Sequence, residues 1–151
     1  MIMPAKQSKI TFIIKIAAAI FFLTMAIFSA SCSDEAVKPS RDATLSGKAA
    51  ETAAAIFRDY DSREFESMRK NLAPEAQTVK IDESFKSVKH GFRPRRVTIE
   101  KDALRLVIGW EAKWTLDKGE VLSGGQCVMV FSIPSGKVTA IEGDNPFTAP
   151  R

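Results

Sequence analysis

Leu104-Arg-Leu-Val-Ile-Gly-Trp-Glu-Ala-Lys-Trp-Thr-Leu116 decides the fold. Leu104, Leu106, Ile108, Trp110, Ala112, Trp114 and Leu116 recur at every second position. Arg105, Val107, Gly109, Glu111, Lys113 and Thr115 fill the alternate ones. Successive side chains of a strand point to opposite faces, so this stretch builds a sheet with one apolar and one wet face. Thirteen alternating residues are long for a strand, which predicts a strongly bent sheet with Gly109 at the bend. Glu111 falls on the solvated face.

Working outward, Asp117-Lys-Gly119 reads as a hairpin turn. Val121 to Ile133 returns, with Gly124-Gly125 expected as a bulge. Pro134-Ser-Gly136 turns again, Val138 to Glu142 forms the last strand, and Phe147 packs back onto the domain. On the other side, Lys101-Asp102 makes a tight turn. Val97 and Ile99 give a strand from about Arg95.

Upstream the period lengthens. Leu45, Ala49, Ala53, Ile56, Phe57 and Tyr60 recur at helical spacing from about Thr44. A second helix is expected from Asp61, which stands three residues before Glu64 at capping-box spacing. Phe65, Met68 and Leu72 lie on its inner face, and Pro74 ends it. A third is expected from about Glu75 to Lys89, with Val79, Ile81, Phe85 and Val88 as its apolar face. His90 and Gly91 would sit at its C-terminal end, where a cation and a residue free to adopt positive φ are both favoured. Helices first and a curved antiparallel sheet of about four strands afterward is an α+β plan, with the helices covering the apolar face.

The N-terminal stretch has a different character. Lys6, Lys9 and Lys15 precede an apolar run from Ile16 to Phe28, and Ser29-Ala30-Ser31 stand directly before Cys32. The run is short for a spanning helix, which needs ~20 residues, and suits the apolar core of an export signal. Residues 1–31 therefore read as a signal peptide, 32–43 as a flexible polar tether, 44–147 as the folded domain and 148–151 as a tail. Three of the 22 basic residues and none of the 18 acidic ones lie in 1–31, so the chain from Cys32 carries 19 against 18, a net +1. A balanced surface argues against nucleic acid as a partner. Arg93-Pro-Arg95-Arg96 is the one local basic patch, and a solvated strand or an anion site explains it equally.

Residues 1–33 resemble a bacterial lipoprotein signal, in which the cysteine after small residues is acylated and becomes the new N-terminus. Ala30, Ser31 and Cys32 match that pattern; Ser29 stands where the family usually has Leu or another apolar residue. Ordinary secretion and an uncleaved anchor are the other two readings of these residues. The resemblance implies lipidation at Cys32, a membrane partner through the lipid and, with Ser33 rather than Asp after the cysteine, the periplasmic face of the outer membrane.

The stretch from Leu45 to Phe147 resembles the nuclear-transport-factor-two-like superfamily, or cystatin-like cones. The resemblance rests on Ile56-Phe57-Arg-Asp-Tyr60, the short helix with Phe65 and Leu72, the Trp110/Trp114 strand and the closing Val138-Thr-Ala-Ile141-Glu-Gly143-Asp-Asn-Pro-Phe147. It implies a cone whose interior holds a pocket, with Tyr60, Phe57, Trp110 and Trp114 as candidate lining. It also implies a possible homodimer or protein partner through the sheet. Family enzymes work through a pocket carboxylate aided by Tyr or His, and this chain has one of each, Tyr60 and His90.

No residue pattern names a catalytic group. One His and no cysteine cluster argue against a metal site, and no glycine-rich phosphate loop is present, so no cofactor is expected. Cys127, in a strand pattern, reads as a small buried hydrophobe. The leading expectation is a lipid-anchored, non-enzymatic module for a small apolar ligand or protein partner. A small pocket enzyme of isomerase, dehydratase or cyclase type is the alternative.

Overall fold

The computed structural model describes residues 38–150. The signal, Cys32 and most of the tether lie outside the described residues. Helix α1 (Arg41–Asp61) comes first, then the short helix α2 (Phe65–Lys70) and a 3-10 turn (Pro74–Thr78). Four strands follow: β1 (Ser87–Ile99), β2 (Ala103–Leu116), β3 (Gly119–Ser132) and β4 (Val138–Gly143). They form one antiparallel sheet in the order β1-β2-β3-β4. This is the expected α+β arrangement, helices on a curved antiparallel sheet of four strands. No helix among the described residues is long and apolar enough to cross a membrane.

Helix α1 begins at Arg41, three residues earlier than the apolar spacing suggested. The Ser40 side chain accepts from the Ala43 N–H at 3.2 Å and satisfies one of the open donors of the first turn. Ala49, Ala53, Ile56, Phe57 and Tyr60 are buried on its inner face. Small alanines there bring the helix axis close to the sheet. Against it stand the inward residues of β2, from Leu104 to Trp114, all buried as the alternation requires. Cys127, Met129 and Phe131 of β3 complete this layer.

Two expectations about the helices are corrected. Asp61 does not cap α2: it is the last residue of α1, Glu64 occupies the cap of α2, and Arg63 reverses the chain between them at φ 62°. The third helix is reduced to Pro74–Thr78, and β1 begins at Ser87 rather than near Arg95. Val88, His90 and Phe92 alternate inward, and His90 occupies a core slot that a helical reading assigns to a cap. Gly91 lies in the strand opposite Glu111, so it is no helix terminator.

The bulge is also relocated. The β2–β3 register runs unbroken through Gly124 and Gly125, so the expected bulge there is absent. The irregularities fall between Pro94 and Arg96 and between Val130 and Phe131. Proline has no N–H to offer a ladder and is tolerated at a bulge on an edge strand. The extra residue, Arg95, lays its guanidinium over Gly109, where a Cβ would stand 2.8 Å from its Nε. Gly125 serves close approach: a Cβ there would lie 2.5 Å from Asp144 Oδ2. The far edge, β4, is closed at Val138 by the segment before the 3-10 turn. Ala73 N–H donates to the Val138 carbonyl at 2.7 Å, and Val138 N–H donates to the Asn71 carbonyl at 3.0 Å.

Candidate functional site

Of the four side chains proposed to line a pocket, Tyr60 and Trp114 pack ring against ring at 6.1 Å, and all four gather around the His90 ring at centroid distances of 5.2–6.2 Å. Tyr60 and Trp114 are fully buried, Phe57 and Trp110 nearly so. Phe57 lies 5.2 Å from the His90 ring and 5.4 Å from Phe147, centroid to centroid. Tyr60 lies 4.9 Å from Phe147 and 5.2 Å from Phe85. Edge-to-face and tilted geometries of this kind fill space while matching ring edges to faces. Trp114 Nε1–H donates to Ser123 Oγ at 2.8 Å and Trp110 Nε1–H to the Asp144 carbonyl at 3.2 Å, so neither indole has a free donor.

The polar groups of this cluster are equally committed. The Tyr60 hydroxyl faces two backbone carbonyls, of Asp82 at 2.6 Å and Phe147 at 3.0 Å. Its phenol is pushed above the ordinary value, first by burial and then by Asp82, Asp61 and Glu83. His90, side chain wholly buried, is held on both nitrogens. Nε2 lies 2.9 Å from the Pro146 carbonyl, which only accepts, so Nε2 carries a proton. Nδ1 lies 2.6 Å from Asp61 Oδ1, while Asp61 Oδ2 accepts from the His90 backbone N–H at 2.9 Å.

The closing segment makes these contacts possible. After β4 the chain turns at Gly143 and crosses the cone, burying Phe147 and Ala149. Asn145 pins it: its Nδ2 donates to the Lys80 carbonyl at 2.7 Å and its Oδ1 accepts from Phe147 N–H at 3.0 Å. Asp82 N–H donates to the Phe147 carbonyl at 2.8 Å. The segment thus occupies the volume that a pocket beside Tyr60 would need.

A cavity of about 430 Å³ is lined by His90, Ala112 and Leu122, and further open space lies elsewhere. A cleft of about 460 Å³ runs between the first turns of α1, the end of α2 and the β3–β4 turn. Its apolar lining is Leu45, Ala49, Leu104, Phe131 and Ile133. Lys48, Lys70 and Lys137 stand around it with Glu51. Among the described residues none of these four charges makes a salt bridge. These residues are scattered over ninety positions of chain and carry no local motif, so nothing in the sequence marks the cleft. For His90 the signal is the Val88-His90-Phe92 alternation, a strand period where helical spacing also fits.

Cys127 is buried, as its place in the strand pattern implied, and burial pushes its thiol up to about 11, with Asp144 adding to the shift. A thiol held neutral in this way is a poor nucleophile. Among the described residues no group of three or more His, Cys, Asp or Glu is placed to hold a metal ion.

No protein family matches the sequence, and no curated protein does. Among solved structures the chain is similar to TerC crystallised with polyporic acid, at 12% identity and TM-score 0.39 over 62% of this chain and 88% of that one. AclR from Streptomyces galilaeus gives 11% and 0.40 over 63% and 86%. An ntf2-like protein of unknown function from Burkholderia pseudomallei K96243 gives 9% and 0.38 over 62% and 87%. Likeness at this level carries no chemistry from those proteins to this chain.

Proposed function

We propose that this chain is a lipid-anchored, non-enzymatic binding module of the bacterial envelope, held by Cys32 at the periplasmic face of the outer membrane. Its ligand is a small, largely apolar molecule in the cleft between α1 and the β3–β4 turn. The observation that carries the non-enzymatic reading is the engagement of Tyr60 and His90, the chain's single tyrosine and single histidine, with backbone carbonyls of the closing segment. A general acid or base must reach its substrate within hydrogen-bond distance, and both groups are turned inward onto backbone.

The second reading, a small pocket enzyme, draws on the Asp61–His90 pair, since a carboxylate-oriented imidazole is a common base. That base would need Nε2, and Pro146 holds it. The anchor is tested by intact mass of the membrane-extracted protein beside a Cys32→Ser variant. A mass beginning at Cys32 plus acyl chains, lost in the variant, is the expected result. An unmodified mass or cleavage elsewhere overturns the anchor.

A further inference from the structure

The cleft combines two features that the proposed binding role does not by itself require. Its floor continues the hydrophobic core, since Ala49, Leu104 and Phe131 are buried core residues. Its rim gathers three ammonium groups from three separate elements: Lys48 from α1, Lys70 from α2 and Lys137 from the β3–β4 turn. One carboxylate, Glu51, stands among them, and among the described residues no acidic group lies within salt-bridge distance of any of the three lysines. Lys70 in the last turn of α2 is accounted for by the helix dipole alone. Lys48, in the second turn of α1, and Lys137, directly before β4, have no such explanation. A concave site whose mouth carries a net positive charge, three ammonium groups against one carboxylate, concentrates anionic ligands.

Resting on the reading of the cleft as the binding site, we infer that its ligand is a single-chain amphiphile with an anionic head, of the fatty-acid type. The alkyl chain lies along the half-buried Leu45 and Ile133, over the almost wholly buried Leu104 and Phe131, and the carboxylate meets the ammonium groups of Lys48 and Lys137. The volume of about 460 Å³ lies within the range of small-molecule sites, ~300–1,000 Å³. A cationic head would meet repulsion at the rim. A neutral head would gain hydrogen bonds there without the charge attraction.

The test is photolabelling of the full-length chain, purified and reconstituted into vesicles, with a diazirine-bearing dodecanoate. Matched probes carry an alcohol or a trimethylammonium head, and labelled sites are mapped by peptide mass spectrometry. The carboxylate probe is expected to label residues 45–52 and 131–137, competed by unlabelled dodecanoate. Labelling should fall about tenfold in Lys48→Glu/Lys137→Glu, from two lost attractions turned to repulsions. Ile133→Trp, which fills the floor without altering charge, should abolish labelling by every head. Folding of each variant is read from its near-ultraviolet circular dichroism, which reports the packed aromatic cluster. Equal labelling of the two segments by all three heads, or no fall in the charge-reversed protein, overturns the anionic head and leaves the binding cleft. Failure of every probe to label them saturably overturns the cleft itself. Labelling by the carboxylate probe that dodecanoate fails to compete, while excess vesicle lipid abolishes it, overturns the single-chain ligand in favour of the membrane surface.

Discussion

Asp61 grips His90 at two points, accepting from its backbone N–H with Oδ2 at 2.9 Å and lying against its ring nitrogen Nδ1 with Oδ1 at 2.6 Å. The last residue of α1 thus fastens the helix to an edge strand that begins 26 residues later. The free N–H of an edge strand is satisfied there by a side chain rather than by another strand.

Removing this clasp strands a buried donor and a buried ring nitrogen. Asp61→Ala should lower stability by about 2–4 kcal/mol, and Asp61→Asn by less, because an amide oxygen still accepts from the backbone N–H. Thermal unfolding followed by circular dichroism measures both. Midpoints equal to wild type would show that the clasp holds nothing.

Alkaline pH acts on the core through two buried acids. Tyr60 and Cys127 are both raised above their ordinary values, the thiol to about 11, so the folded state keeps protons that the unfolded chain releases. Their stabilisation is complete below the unfolded values of about 9 and 10 and is lost as pH rises above them. Denaturant midpoints should be level through neutral pH and fall from about pH 9 upward. Cys127→Ala should remove the earlier part of that fall. Tyr60→Phe should remove the later part, at about 1–3 kcal/mol of stability at neutral pH for the lost hydroxyl contacts. A flat profile to pH 11 in wild type contradicts the assignment.

Gly125 and Asp144 form a matched pair. The Asp144 carboxylate fills the space where a Cβ would stand and accepts from Gln126 N–H at 3.0 Å. Gly125→Ala should displace it and destabilise by about 1–3 kcal/mol. In an Asp144→Ala background the same change should lose much less, giving a coupling energy of about 1 kcal/mol or more in a double-mutant cycle. Strict additivity would show that the two sites are independent.

The architecture was legible wherever one face of an element is apolar and the other is not. The Leu104–Leu116 alternation, the Ala49/Ala53/Ile56/Tyr60 spacing and the turns at Asp117 and Pro134 all stand where local physics put them. The reading failed between Glu75 and Gly91, where short irregular apolar spacing fits a helix and a strand alike and the partner strand decides. There the residue facing the core is His90, a polar side chain made acceptable by Asp61 and the Pro146 carbonyl, both distant in sequence. The candidate pocket residues were legible as a set that meets, because all of them lie on inward faces. That Phe147 packs against Phe57 and Tyr60 depends on the path of the chain after Gly143. The lysines around the cleft come from three elements, and only the packing of those elements makes them neighbours.

The two outer strands of the sheet are treated differently from its interior. Along β1, Pro94, the Arg95 bulge and the flanking arginines interrupt the row of backbone donors and acceptors; along β4, Asn71 and Ala73 take up the groups of Val138. Neither border is a long, uninterrupted ribbon of open backbone groups: β1 is broken at its bulge and β4 is short. Copies brought close together would accordingly resist stacking into fibrils edge to edge.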